Sequence, residues 1–329
     1  MIRGLKKNIL VSIIGYSGFT GVLRVIIGVV SQKVIAVFLG ASGLAILGSF
    51  RNLIEALTSL SSVGSRNGII SKTASESDKD AIRVFVNSTA SLFICASFFL
   101  GLILLWNEKW ILESLQLGLN QTKIIPLIAV IIPFMALNVL MEATLSGLKA
   151  YKPVANVQLL TAFITTTFMV VLIYFFGLYG ALMTLVCRPL FSFLFYVVYF
   201  QKSYSLISYL KGYKLDFSKV KDLLPYISMT LISAGFVQII EIWLRDLIST
   251  QLDLDAAGFW TAMNNISTHY FTFITFAFTL YVLPRFSEAP LSFKLTSESK
   301  SILKTLLSFV TPAMFVLYIF RTSIVQLLY

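Results

Sequence analysis

Hydrophobic residues fill most of this chain, in long runs that short polar stretches interrupt. A run of about 20 apolar residues spans the hydrocarbon core of a bilayer as an α-helix. The sequence predicts nine membrane-spanning helices, over residues 8–39, 44–71, 84–106, 124–148, 154–176, 181–200, 223–250, 256–286 and 302–328. These runs are too long, and alternate too little between apolar and polar residues, for an outer-membrane barrel. The pattern therefore predicts an all-α polytopic membrane protein.

Composition agrees with this fold class and excludes several kinds of site. The 329 residues are 57% hydrophobic and only 12% charged, which is far from the composition of a soluble domain. The single histidine, His269, and the two mid-span cysteines, Cys95 and Cys187, supply neither a disulfide framework nor a zinc site. No nucleophile elbow, Walker loop or dinucleotide fingerprint occurs. The sequence therefore predicts no catalytic residue, metal or cofactor, and no enzyme.

Basic residues predict the orientation of the chain in the membrane. One set of alternate loops carries nearly all the loop lysines and arginines, whereas the other set holds only Lys109 and Lys123. Basic loops stay on the cytoplasmic side, so the N-terminus is predicted to be cytoplasmic. Basic loops beside membrane lipids also explain the net charge of +11, without nucleic acid as a partner.

A basic loop divides the chain into two predicted lobes. We expect an N-terminal lobe of six helices over residues 1–203, a basic cytoplasmic linker over 204–222, and a C-terminal lobe of three helices over 223–329. A weak internal repeat supports two lobes, because a cation, an apolar stretch and a glycine turn recur at Lys33 to Gly43 and at Arg245 to Gly258. Such a similarity also arises by chance. If each lobe has six helices, about three C-terminal helices are missing from this sequence.

Cations lie inside the apolar runs, where each costs roughly 2.5–3.5 kcal/mol on insertion scales. Apart from Arg285 and Lys304 at the ends of runs, which count with the basic loops, they are Arg24, Lys33, Arg51, Arg66, Arg188, Arg245 and Arg321. Residues of this kind face a bundle interior or a wet cavity, so their number points to an anionic substrate. By position along their helices, five of them are predicted to form one cluster in the middle or outer half of the membrane. These five are Arg24, Arg51, Arg188, Arg245 and Arg321.

Some of these charges have a structural interpretation. Arg51 with Glu55, and Glu241 with Arg245, are four residues apart and can pair within one helix. Arg66 lies near the inner end of its span, where its side chain can reach the headgroups.

Three further residues also allow two interpretations. Lys33 lies near the outer end of its span, so it is either a snorkelling residue or part of the cavity. Glu142 is either a proton-coupling carboxylate or the partner of an arginine on a neighbouring helix. His269 follows a polar stretch and is either a cavity residue or a hydrogen-bonded core histidine.

Three stretches of the chain resemble a known family. They are VLRVIIGVVSQKVIAVFLGASGLAILGSFRNLIEALTSLSSVG, IIEIWLRDLISTQLDLDAAGFWTAMNNIS and FTLYVLPRFSE. They resemble the Wzx-type lipid-linked oligosaccharide flippases, and among these the enterobacterial common antigen and O-antigen group. That superfamily also includes multidrug antiporters. The resemblance implies twelve helices in two six-helix lobes, of which this chain would hold nine.

The resemblance also implies a substrate and a site. The substrate would be an undecaprenyl-diphosphate-linked oligosaccharide, moved across the bacterial inner membrane by alternating access through a cationic cavity. Glycan polymerase and chain-length proteins are candidate partners. Arg24, Lys33, Arg51 and Arg245 match the cationic pattern of the family, and the sequence adds Arg188. The family places an acidic residue where this chain has His269, so no carboxylate acts there.

Other functions remain open from the sequence alone. A multidrug antiporter of the same fold would need an acidic cavity, whereas the excess here is basic. A membrane enzyme of glycan assembly would use loop carboxylates such as Asp253 or Asp255. A structural partner in a glycan-assembly complex is the third alternative.

Overall fold

The computed structural model describes residues 2–118, 122–204 and 236–268, together with the isolated residues 311, 315 and 319. Within these ranges the chain is helical and contains no strand, which confirms the predicted all-α class. The helices are α1 (Ile2–Ser61), α2 (Arg66–Ser75), α3 (Lys79–Trp106), α4 (Glu108–Ser114), α5 (Ile124–Gly147), α6 (Tyr151–Tyr204), α7 (Phe236–Gln251) and α8 (254–268). The predicted linker beyond Tyr204, most of the ninth segment, His269 and Arg321 lie outside the described residues.

Single glycines break the two longest helices, α1 and α6. These helices have 60 and 54 residues, or about 90 and 80 Å at 1.5 Å per residue, whereas the hydrocarbon core is about 30 Å thick. Gly40 has φ 67° and Gly177 has φ 55°, a left-handed region in which glycine alone is at ease. Each long helix is therefore two membrane-length helices joined at one residue.

The two halves of each broken helix run antiparallel. The amide of Gln32 lies 3.2 Å from the guanidinium of Arg51, although the two would be almost 30 Å apart on a straight helix. A Cβ atom on Gly180 would overlap the carbonyl oxygen of Leu172, so α6 also folds back on itself. We call the end of the bundle that carries both reversals the Gly40 end, and the opposite end, with α2, the α2 end.

The described helices cover the six segments predicted to span the membrane before residue 204. Within the described part of the chain, four stretches are long and apolar enough to cross a membrane, namely Phe19–Ser61, Lys79–Trp106, Ile124–Gly147 and Tyr151–Gln201. The first and last of these are the double helices, and each contributes two crossings. The chain is therefore a multi-pass membrane protein.

The second predicted span ends earlier than the sequence indicates. We expected a helix over residues 44–71, but α1 ends at Ser61 and α2 begins at Arg66. Between them, Val63 and Gly64 adopt positive φ angles, and the Ser62 hydroxyl donates to the Thr58 carbonyl at 2.8 Å. Apolar residues on both sides of this turn hid it in the hydropathy pattern. Arg66 consequently lies on a short separate helix.

Helix α5 forms the centre of the described bundle. Its buried residues include Ile128, Ile132 and Met135, each at most 1% exposed, and it packs against α1, α2, α3 and α6. The outer faces of α3 and α6 instead expose large apolar side chains such as Phe98 and Phe163. This arrangement, in which a packed interior is surrounded by an apolar surface, is suited to a protein dissolved in lipid.

Helices α7 and α8 pack against the second half of α1. A Cβ atom on Gly258 of α8 would overlap the carbonyl oxygen of Ala41, so the two backbones are in direct contact. Near the same end, the Gln116 amide donates a hydrogen bond to the Ser249 hydroxyl of α7. Small residues allow such close approach between helices in membranes. This contact places the polar side chains of α7 and α8 against those of α1.

Candidate anion-binding site

Most intramembrane charges of the described residues belong to two polar groups at different depths. The central network consists of Gln32, Arg51, Glu241, Arg245, Thr261, Asn264 and Asn265. The Glu142 network consists of Arg24, Arg66, Glu142 and Gln158. Counted from Gly40, the α1 members of the central network lie about 12–16 Å from the Gly40 end, near mid-membrane. The Glu142 network lies close to the α2 end, where α6 begins.

Arg245 is the most enclosed cation of the central network, at 4% exposed. Its Nε donates to the Thr261 hydroxyl at 2.9 Å, and its Nη1 donates to the Glu241 carbonyl oxygen at 3.2 Å. Its Nη2 lies 3.3 Å from a carboxylate oxygen of Glu241, which confirms the predicted intrahelical pair. The same oxygen accepts a hydrogen bond from Asn264 at 3.2 Å. Arg245 is therefore held in a fixed position by α7 and α8.

Arg51 is half-buried and faces α8 across the helix contact. Its Nη1 lies 3.5 Å from Oδ1 of Asn265, and the Gln32 amide lies 3.2 Å from both Arg51 and Asn265. The predicted pairing of Arg51 with Glu55 on the same helix stays a prediction, and the Glu55 side chain is exposed. Arg51 thus joins both halves of α1 to α8.

Gly48 provides the space in which the Arg245 side chain lies. A Cβ atom at this position would be 2.6 Å from Cγ2 of Thr261 and 3.1 Å from Nε of Arg245. Both distances are shorter than ordinary van der Waals contact. A larger residue at position 48 would therefore push α8 and the Arg245 guanidinium away from α1.

Glu142 connects two arginines through one carboxylate oxygen. Its Oε1 accepts hydrogen bonds from Nη2 of Arg66 at 2.5 Å and from Nε2 of Gln158 at 3.0 Å. Oε1 of Gln158 in turn accepts from Nη1 of Arg24 at 2.5 Å. Of the two predictions for Glu142, its role as the partner of a neighbouring arginine is confirmed. Arg66 remains half exposed, and its side chain bridges α2 to α5.

Arg188 and Lys33 have no hydrogen-bond or ion-pair partner within the described ranges. Arg188 is exposed and Lys33 is half-buried, and the positive charge of Arg188 acts on Arg24. The prediction of one outer-half cluster is wrong for Arg24, because its partners lie at the α2 end, away from Arg51 and Arg245. Position along a helix gives depth but does not reveal the direction of the side chain, so this division was not predictable from spacing.

Uncharged residues of both networks escaped the sequence analysis. Gln32 and Gln158 each contact an arginine, yet neither was weighed as a site residue. Gln32 and Gln158 lie inside apolar runs, where a buried amide needs a partner. A search for mid-span amides would have found both residues.

The arrangement favours the binding of an anion with several oxygen acceptors. Arginines outnumber the carboxylates in the two networks. A guanidinium presents paired N–H donors that match a carboxylate or phosphate. Arg24 and Arg51 lie on the two halves of α1, at different depths. The chain can therefore contact an anion at more than one level of the membrane.

Comparisons with known proteins agree with these observations. Residues 19–329 match the profile of a family described as polysaccharide biosynthesis protein. The chain is 26% identical over 308 residues to the Lipid III flippase of Escherichia coli (strain K12), which represents 92% of this chain and 73% of that relative. The Lipid III flippase of Shigella flexneri gives the same values.

A solved structure also resembles this chain. It is an inward-facing multidrug resistance MATE family transporter of the MOP superfamily, with a TM-score of 0.54 and 17% sequence identity. The match covers 77% of this chain and 60% of that transporter, so the chain spans less than two thirds of its length. The likeness establishes the type of fold.

Proposed function

Because this chain belongs to the polysaccharide biosynthesis protein family, we propose that it is a flippase for lipid-linked oligosaccharides. The relatives named Lipid III flippase support this activity. The substrate is an undecaprenyl-diphosphate-linked oligosaccharide of the enterobacterial common antigen or O-antigen type. It moves from the cytoplasmic to the periplasmic leaflet of the bacterial inner membrane.

The observation that carries the proposal is the placement of Arg51 in the central network. Its guanidinium is half-buried near mid-membrane, between the two halves of α1 and α8. A diphosphate that crosses the bilayer must exchange water for protein donors at this depth. Arg51 presents such donors, and Arg245 adds a second fixed positive charge beside it. Arg24, Lys33 and Arg188 complete the proposed cationic path.

Transport proceeds by alternating access between two lobes, over residues 1–203 and 223–329, with 204–222 as the linker. The N-terminus and the α2 end face the cytoplasm. The sugars and the diphosphate occupy the cavity between the lobes, while the polyprenyl chain stays in lipid. Moving about two negative charges out of a negative interior is favoured by roughly 4–5 kcal/mol per 100 mV. Membrane potential therefore favours export, and glycan polymerase and chain-length proteins would receive the product.

Removal of the Arg51 charge tests the function. We expect Arg51→Ala to slow transbilayer movement about tenfold or more, because a charge-assisted hydrogen bond is worth about 1.5–3 kcal/mol. The purified protein is reconstituted into vesicles that contain a fluorescent undecaprenyl-diphosphate-linked oligosaccharide. The fraction of the substrate that becomes accessible to an external quencher is followed over time.

Lys109→Ala is the matched control, since Lys109 is an exposed cation of α4 outside both networks. It should move the substrate at the wild-type rate. An Arg51→Ala variant that is equally active, at equal protein content, would exclude the central network from the path. Wild-type vesicles that move no substrate would refute the flippase function itself.

A further inference from the structure

Glu142 draws side chains from four helices together at the α2 end. Its single oxygen Oε1 accepts from Arg66 of α2 and from Gln158 of α6, at 2.5 and 3.0 Å. Gln158 in turn holds Arg24 of α1, and Glu142 itself belongs to α5. By contrast, a simple ion pair within one helix involves only two residues. Two helices thus donate to one oxygen of Glu142 and a third is joined through Gln158, which indicates a constructed site.

The charges around Glu142 do not balance. Arg24, Arg66 and the nearby Arg188 carry three positive charges against the one negative charge of Glu142. Nε of Arg24 is buried and has no hydrogen-bond partner among the described residues. The Arg66 side chain is 50% exposed. Donors and an excess of positive charge therefore remain for a ligand that approaches past Arg66.

We propose that the Glu142 network is a docking site for the diphosphate group, in which Glu142 is a counter-ion that the phosphate oxygens displace. This inference rests on the flippase function proposed above. Carboxylate and phosphate oxygens accept the same arginine donors, but a diphosphate offers more acceptors. The diphosphate carries about two negative charges, which match the excess of positive charge at the site. When the substrate arrives, Arg66 exchanges the carboxylate for the phosphates, and Arg24 turns to them from the Gln158 amide.

Glu142 also keeps this docking weak. Once displaced, its carboxylate remains close to the phosphates and repels them, because like charges in a medium of low dielectric constant interact strongly. A site on a transport path must bind well enough to admit its ligand and weakly enough to release it. Glu142 is thus a positioning residue that orders the arginines before docking and favours release afterwards, towards the central network.

The two roles of Glu142 predict opposite effects on binding and on transport. Glu142→Gln keeps the shape and the hydrogen-bond acceptor but removes the charge. We expect the Kd for undecaprenyl diphosphate to fall about fivefold and the transport rate to fall as well. Arg66→Gln should raise the same Kd about tenfold. Binding is measured on the full chain in nanodiscs of neutral lipid, and transport in the vesicles described above.

A control variant and two competitors test whether binding is specific to this site and to a diphosphate. Glu113→Gln, at an exposed carboxylate of α4, should leave both quantities unchanged. Inorganic diphosphate should compete for the site, whereas phosphatidylglycerol in the nanodisc should not. Equal competition by phosphatidylglycerol would identify a general site for anionic headgroups and overturn the proposal.

The outcomes distinguish this proposal from the transport function. A Glu142→Gln variant with an unchanged or higher Kd overturns the counter-ion role, whether or not the wild type transports. If Glu142→Gln does not fold, an Arg66→Gln variant with unchanged affinity overturns the site instead. A wild type that binds the diphosphate but moves no substrate refutes only the transport function.

Discussion

Arg51 and Arg245 differ in what they can offer a ligand, although they belong to the same network. The donors of Arg245 are directed at Thr261 and Glu241, and its side chain is enclosed. Arg51 is half-buried, and its contact with Asn265 is at the outer limit of hydrogen-bond length. Because it is the more exposed of the two, Arg51 is the one that we expect to meet the proposed substrate, while Arg245 holds α7 and α8 in position.

A double-mutant cycle tests whether the ion pair of Arg245 with Glu241 stabilises the protein. Glu241→Gln and Arg245→Gln should each lower the melting temperature in detergent, since each leaves a charged partner unpaired. The double variant should be more stable than the sum of the two losses predicts, with a coupling of about 1 kcal/mol. Additive losses would show that the ion pair contributes nothing to stability.

Charged residues were found from sequence, but their partners were not. An arginine in an apolar run is conspicuous because its insertion costs so much. Inserting an uncharged amide into the membrane costs less than inserting a charge. Gln32 and Gln158 were therefore less conspicuous in the sequence, although they hold Arg51 and Arg24. The Glu241 to Arg245 pair was predictable because both ends lie on one helix. For Glu142 the sequence predicted an arginine partner on a neighbouring helix as one alternative, but which arginine it is depends on how the helices pack.

The contact between α1 and α8 depends on residues without bulky side chains. Gly258 lies against the Ala41 backbone, and Gly48 lies against Thr261. In lipid there is little hydrophobic gain from helix association, so close backbone packing and hydrogen bonds hold helices together. The same contact brings Asn265 to Arg51. Close approach of these two helices is therefore a condition for the central network.

Gly258→Ala should damage this contact. Alanine favours helix over glycine by about 1 kcal/mol, but overpacking typically costs about 1–3 kcal/mol. We expect a lower melting temperature and slower transport in vesicles. Gly21→Ala is the matched control, because a Cβ atom there meets nothing within 4 Å, and it should be neutral or stabilising. Equal behaviour of the two variants would contradict the importance of the contact.

Helix boundaries were predictable where the polar signal was strong. The end of α3 at Trp106 and the start of α5 at Ile124 match the predicted limits. The break after Ser61 was missed because apolar residues resume within a few positions. At Gly40 and Gly177 the break was predicted as a loop of several residues, whereas one glycine is enough for the reversal.

At the scale of the whole molecule, the described parts before and after the linker meet at the Gly40 end. Gly258 with Ala41, and Gln116 with Ser249, join them there. A transporter that alternates between two openings must separate such contacts in each cycle. The bond between Gln116 and Ser249 is partly buried at this contact and involves no residue of the central network.

A covalent link at this point should stop transport. Gln116→Cys with Ser249→Cys, in a background with Cys95 and Cys187 replaced by serine, should form a disulfide on oxidation. We expect the oxidised protein to lose nearly all transport in vesicles and to regain it with a reductant, because the Gly40 end can no longer open.

A disulfide between two residues that both precede position 204 is the control for this crosslink. Ser31 and Met169 are neighbours on α1 and α6, with 3.8 Å between the hydroxyl oxygen and the sulfur. Their double cysteine variant should transport equally well when oxidised or reduced. Full activity of the oxidised Gln116 and Ser249 variant would mean that this end does not open during transport.

The fold class was predictable because apolar length and charge bias reflect the bilayer, which acts on every membrane protein alike. The arrangement of Arg24, Arg51 and Arg245 was not, because it depends on which face of each helix turns inward. Spacing alone placed these three residues in one cluster. The packing of α6 beside the first half of α1 draws Arg24 to Gln158 instead.

The reversal at Gly177 has a consequence for biogenesis. Only one residue between the two halves of α6 departs from helical geometry, so almost no polar segment has to be carried across the bilayer. The two halves can enter the lipid together as a preformed hairpin, which spares the insertion machinery a separate step for each. A residue other than glycine at position 177 would then impair assembly in the membrane before it affected the mature protein.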